Sequence, residues 1–61
     1  MPIVTIEAIE GKTIEQKRAL VKDITDTLCK NFKVNPDAVI IFIHEVKREN
    51  VGKAGKLNID S

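Results

Sequence analysis

From Ile3 to Ile9 apolar and polar residues alternate, with Val4, Ile6 and Ala8 on one parity and Ile3, Thr5, Glu7 and Ile9 on the other. A period of two with β-branched residues in the majority predicts a strand with one face more apolar than the other. Glu10-Gly11-Lys12 reads as a turn. Thr13-Ile14-Glu15-Gln16 has the form of a capping box, in which Thr13 accepts from the Gln16 amide and Gln16 reaches back. From about Ile14 the period changes. Leu20, Val21, Ile24, Leu28 and Phe32 recur at three and four, while Lys17, Arg18, Lys22, Asp23, Asp26 and Lys30 fall mostly on the other side. That is an amphipathic helix of about five turns.

Lys30 and Lys33 suit the negative end of a helix, and Asn35-Pro36 stops it, because the residue before proline is pushed out of the α region. A second strand is expected at once. Val39-Ile40-Ile41-Phe42-Ile43 is apolar on both parities, the pattern of a strand buried on both faces. Strand, helix, strand in this order predicts a right-handed β-α-β unit of the α/β class with parallel strands. One helix covers only one face of such a sheet, and two strands are too few to stand alone, so a second copy of the chain is expected on the other face. After Glu45 the chain turns polar, and Asn50-Val51-Gly52-Lys53-Ala54-Gly55-Lys56-Leu57 reads as a glycine-punctuated loop or short C-terminal hairpin. Gly52 and Gly55 are expected to supply its positive φ angles. With Lys56 they do not make a phosphate loop, since the spacing fails and no helix pattern follows.

Length reinforces the expectation of a partner. The chain has 61 residues, enough for one small domain spanning positions 1–61 and a core of doubtful sufficiency. Chains of this size usually add disulfides, a metal or a partner. Cys29 is the only cysteine and His44 the only histidine, which excludes an internal disulfide and gives no zinc-ligand spacing. Self-association is what remains. Ten basic and nine acidic residues are interspersed along the chain, so no electrostatic footprint for nucleic acid exists. No signal-peptide pattern opens the sequence and no apolar run reaches the length of a membrane span. A soluble, cytoplasmic protein without a membrane partner is expected.

Candidate chemistry is sparse. His44 reads as a strand-end histidine with one hydrogen bond, and Cys29 as a small, partly covered thiol with no base placed to activate it. The carboxylates form no evident acid/base pair. Pro2 has two readings. Lacking an amide hydrogen, it can simply open a strand; alternatively, with Met1 removed, it carries a free secondary amine. An α-amine has a reference pKa of about 8, and desolvation lowers it by disfavouring the cation. A base whose pKa lies near the working pH is well placed both to be free and to take a proton.

The stretch PIVTIEAIEGKTIEQKRALVKDIT, followed by VIIFIHEV and NVGKAGK, resembles the 4-oxalocrotonate tautomerase family over almost the whole chain. The resemblance rests on Pro2 together with the Glu10-Gly11 turn and the Glu15-Gln16-Lys17 helix start. It implies a keto-enol tautomerase, an isomerase whose general base is the Pro2 amine, acting on a small unsaturated keto or enol acid without cofactor or metal. It also implies a homohexamer, a trimer of dimers, with sites at subunit boundaries. The substrate-binding positions it implies are Ile9, Lys12, Ile40 and Val51. Three of them depart from the family pattern. Lys12 replaces a carboxylate-binding arginine, keeping the charge and losing the bidentate fork. Ile40 replaces a second arginine that holds the 2-oxo carboxylate end of the substrate, and Val51 replaces an aromatic wall. Two further readings stay open: a dehalogenase or hydratase using the same proline, and a non-catalytic oligomeric binding protein in which Pro2 only starts a strand. Retention of Met1 would favour the last, because Pro2 would then be a tertiary amide.

Overall fold

The computed structural model describes residues 1–60; Ser61, the last residue of the expected domain, lies outside the described residues. Strand β1 (Ile3–Ile9) leads through the Gly11 turn to helix α1 (Ile14–Phe32), and strand β2 (Ile40–Val46) lies parallel to β1 in register from Ile3 opposite Ile40 to Ile9 opposite Val46. A small antiparallel hairpin, β3 (Gly52–Lys53) and β4 (Lys56–Leu57), closes the chain. Short 3-10 turns occupy Pro36–Ala38, Arg48–Asn50 and Asn58–Asp60.

The helix begins where the sequence places it, because both halves of the capping box form. The Gln16 amide donates to Thr13 Oγ1 at 3.1 Å, and the Thr13 amide donates to Gln16 Oε1 at 2.9 Å. Its end differs from expectation. Lys33 turns left-handed (φ 59°, ψ 42°) and donates its amide to the Cys29 carbonyl at 3.1 Å, so the helix is capped three residues before Pro36. Pro36 instead opens a 3-10 turn, for which its fixed φ is suited. The second strand therefore starts at Ile40 and not at Val39.

Parity decides the two faces of the sheet. Val4, Ile6, Ala8, Ile41 and Ile43 are half-buried on the side of α1, which turns Val21, Ile24 and Leu28 toward them. Lys17 of the helix forms an ion pair with Glu45 of β2 on this side. The opposite face, carrying Ile3, Thr5, Glu7, Ile9, Ile40, Phe42 and His44, has no helix over it, and the hairpin comes near it only at Ile9. Phe42 is 50% exposed and Ile3 61%. The expectation that β2 is buried on both faces is thus not met within one chain, since the single helix reaches only one side.

Among the described residues none is fully buried. The radius of gyration is 14.9 Å, against about 10–11 Å for a compact chain of this length. One layer of helix on two strands is half of a core.

The hairpin is tied to the far end of β1. The Glu10 amide donates to the Val46 carbonyl at 2.9 Å, and the Glu10 carboxylate accepts from the Arg48 amide at 3.1 Å. Arg48 Nε donates to Asn58 Oδ1 at 2.8 Å, while the Asn58 amide donates to the Val51 carbonyl at 2.7 Å. Ala54 (φ 53°) and Gly55 (φ 82°) are both left-handed, as a two-residue type I′ turn requires. Gly55 meets its expected role, but Gly52 lies in β3 without positive φ, and Ala54 takes the other left-handed position.

Candidate active site

Pro2 sits on the first rung of the sheet, where its carbonyl accepts the Ile40 amide at 3.0 Å. With no N–H of its own it fits the position just ahead of β1. It is half-buried and borders a hollow of about 460 Å³ whose other walls are Met1, Phe32 and Val34. No ionisable side chain lines that hollow, so an amine there would lie against apolar surface, which disfavours its cation. Ile40 is a backbone neighbour of Pro2, but its side chain has the parity of Ile3 and Phe42 and stands on the open face.

The remaining expected positions lie at the opposite end. Ile9 lies seven positions beyond Pro2, roughly 23 Å at the rise of a strand. Ile9 and Val51 share a hollow of about 470 Å³ with Leu57, Asn58, Lys53 and Lys56. Lys12 is not among its walls. It lines a separate groove of about 270 Å³ on the helix side, with Ile6, Ala8, Leu20, Ile43 and the Lys17–Glu45 pair. One protomer therefore brings Ile9 to Val51 and the backbone of Ile40 to Pro2, and leaves the two ends apart.

The chain thus carries a proline just ahead of β1, beside an apolar hollow, on a β-α-β unit whose sheet is covered on one face only. The family described as "Tautomerase enzyme" matches residues 2–59. The chain belongs to the tautomerase family. Its curated relatives include a probable tautomerase of Halalkalibacterium halodurans, 39% identical over 56 residues and 92% of each chain. They also include the 2-hydroxymuconate tautomerase of Bacillus subtilis, 36% identical over 92% of this chain and 90% of the relative. A solved 4-oxalocrotonate tautomerase isozyme of Methylibium petroleiphilum superposes with a TM-score of 0.88 at 37% identity, over 97% of this chain and 92% of that one. This tautomerase is accordingly an isomerase in class, with the parallel β-α-β unit and C-terminal hairpin described above.

The other candidate groups fall outside the hollows. His44 stands on the open face with its ring 6.4 Å from that of Phe42, and among the described residues it makes no side-chain hydrogen bond, contrary to expectation. Cys29 is half-buried, as expected for an inert thiol. Lys22 donates to Asp26 at 2.9 Å, and that hydrogen bond with the facing carboxylate charge raises its pKa above the ordinary lysine value. No group of three His, Cys, Asp or Glu side chains suited to a metal occurs among the described residues, and no helix is long and apolar enough to cross a membrane. Sequence reasoning did not place Lys53 and Lys56 beside Ile9 and Val51 of their own chain, and it passed over Asn58. The readable signal was Lys53-Ala54-Gly55-Lys56, a two-residue turn that sets its flanking residues opposite each other.

Proposed function

We propose that the chain is an enol-keto tautomerase of 2-hydroxymuconate-like acids whose general base is the Pro2 amine, freed by removal of Met1. The observation that carries this reading is a half-buried Pro2 beside Phe32 and Val34, apolar neighbours that stay in place when Met1 is removed, in a chain 36% identical to a 2-hydroxymuconate tautomerase. The amine takes the proton of the enol hydroxyl as the O–H electrons form the ketone. The double bonds shift along the conjugated chain, and the far carbon receives the proton back from the ammonium. Nothing is oxidised, and no cofactor is called for.

The site is completed between copies. An antiparallel two-fold pairing sets the Pro2 end of one protomer near the Ile9 and Val51 end of its partner, closing the separation of roughly 23 Å along one strand. The uncovered sheet face and the extended shape of the single chain support self-association, and the family resemblance implies three such dimers in a hexamer. In this arrangement Ile9, Ile40 and Val51 are apolar walls, and Lys12 offers a mobile point charge only to a carboxylate that extends to its own groove on the helix side.

The test is ultraviolet-monitored ketonisation of 2-hydroxymuconate by protein whose intact mass shows Met1 absent. Turnover above the uncatalysed rate is expected, falling about a hundredfold or more in protein that retains Met1, since a general base contributes roughly 10²–10⁴. The Pro2→Ala variant, which keeps a primary amine, should be slowed as well. Equal activity with Met1 retained would overturn the proline mechanism, and no turnover by either form would overturn the substrate class.

A further inference from the structure

The hairpin hollow carries a charge pattern that the protomer leaves unanswered. Lys53 and Lys56 are register partners across β3 and β4, so their side chains leave the same face of the hairpin on either side of the Ala54-Gly55 turn. Like charges directly opposite each other destabilise a strand pair. Neither ammonium is neutralised: among the described residues these two lysines take part in no ion pair and no side-chain hydrogen bond. The hollow of about 470 Å³ that they flank has no carboxylate in its lining, and its apolar wall is Ile9, Val51 and Leu57. The platform is held in place, because Glu10 caps the Arg48 amide and Arg48 holds Asn58 at the hairpin base.

We propose that Lys53 and Lys56 together bind a carboxylate of the substrate, supplying the anchoring charge that Ile40 lacks. The proposal rests on the reading of the chain as a tautomerase of unsaturated acids. Two cations facing one gap, beside an apolar wall continuous with two expected substrate positions, suit a ligand with an anionic end and a flat hydrocarbon body. The acid's chain lies along Ile9, Val51 and Leu57, and its carboxylate sits between the ammonium groups. Binding an anion there removes the repulsion within the hairpin, which gives the site affinity for carboxylate independent of any arginine. Lysines act as point charges without a fork, so the clamp holds charge firmly and orientation loosely.

The experiment compares the Met1-free parent with the Lys53→Gln/Lys56→Gln double variant. Binding of muconate, an unreactive dicarboxylate, is measured by calorimetry alongside the kinetics on 2-hydroxymuconate. Losing charge-assisted hydrogen bonds should weaken muconate binding about tenfold or more and raise KM similarly, with kcat within about twofold of the parent. A Lys53→Arg/Lys56→Arg variant should bind as the parent does. Light scattering checks that the assembly is unchanged; if the double variant assembles differently, the two single glutamine variants carry the test, each expected to lose about threefold. Unchanged muconate affinity and KM in the glutamine variants would overturn the clamp. Failure of the parent to turn over 2-hydroxymuconate would instead strike the proposed substrate class, while the muconate titration still decides the lysines.

Discussion

At Ile40 the backbone and the side chain serve different ends. The amide closes the first rung of the sheet on the Pro2 carbonyl, whereas the side chain, 37% exposed, joins Ile3 and Phe42 on the uncovered face. In the assembly proposed above that face meets other copies, and a residue here then reaches a site in a neighbour without facing Pro2 of its own chain. Replacing Ile40 by arginine adds a planar donor fork matched to a carboxylate. We expect Ile40→Arg to raise kcat/KM for 2-hydroxymuconate about tenfold, chiefly by lowering KM, because hydrogen bonds to charged groups contribute roughly 1.5–3 kcal/mol. Steady-state kinetics check it, and the absence of any gain would remove Ile40 from the substrate site.

The helix is the element whose limits depend most on a few side chains. Thr13 and Gln16 satisfy each other's amides at its start, and at its end Lys33 adopts a left-handed conformation that usually falls to glycine. The Thr13→Ala variant loses the cap and should cost about 1 kcal/mol of stability. Urea unfolding followed by circular dichroism, at one fixed protein concentration, measures it; a change within error would show that assembly contacts and not the cap set the start of α1. The hairpin is governed in the same local way by its two left-handed residues, which place Lys53 opposite Lys56.

For the molecule as a whole the decisive feature is the missing half of its core. Ile3, Ile9, Ile40 and Phe42 line one uncovered face, and no described residue is fully buried. Burial in an assembly would add on the order of 25 cal/mol for each Å² of apolar surface removed from water. Stability coupled to assembly rises with protein concentration, so the parent's Tm should do the same. The Phe42→Glu variant places a carboxylate on that face, where burial without a partner costs several kcal/mol. Sedimentation velocity should show it shifted to smaller species than the parent. An assembly of unchanged size would mean that copies meet through another surface.

Periodicity, the capping box and the strand-helix-strand order determined the β-α-β unit, its parallel strands, the helix start and the open sheet face, because each follows from contacts within a few residues, the parity of a strand or the hand of the connection. The place of Pro2 just ahead of β1 was legible as well, since it follows from the missing amide hydrogen. Other features are not local. The left-handed cap at Lys33, the turn at Pro36–Ala38 and the left-handed Ala54 are choices among backbone conformations that neighbouring residues leave nearly equal in energy. Only the tertiary structure showed that Pro2 lies at one end of the sheet and Ile9, Lys12 and Val51 at the other, with Lys12 in a groove of its own. It also set the hairpin lysines on the wall shared by Ile9 and Val51. Sequence spacing carries no information about which strand end a distant hairpin packs against; that is decided by the Glu10–Arg48 hydrogen bond, which joins segments far apart in the chain, with Arg48–Asn58 closing the hairpin base.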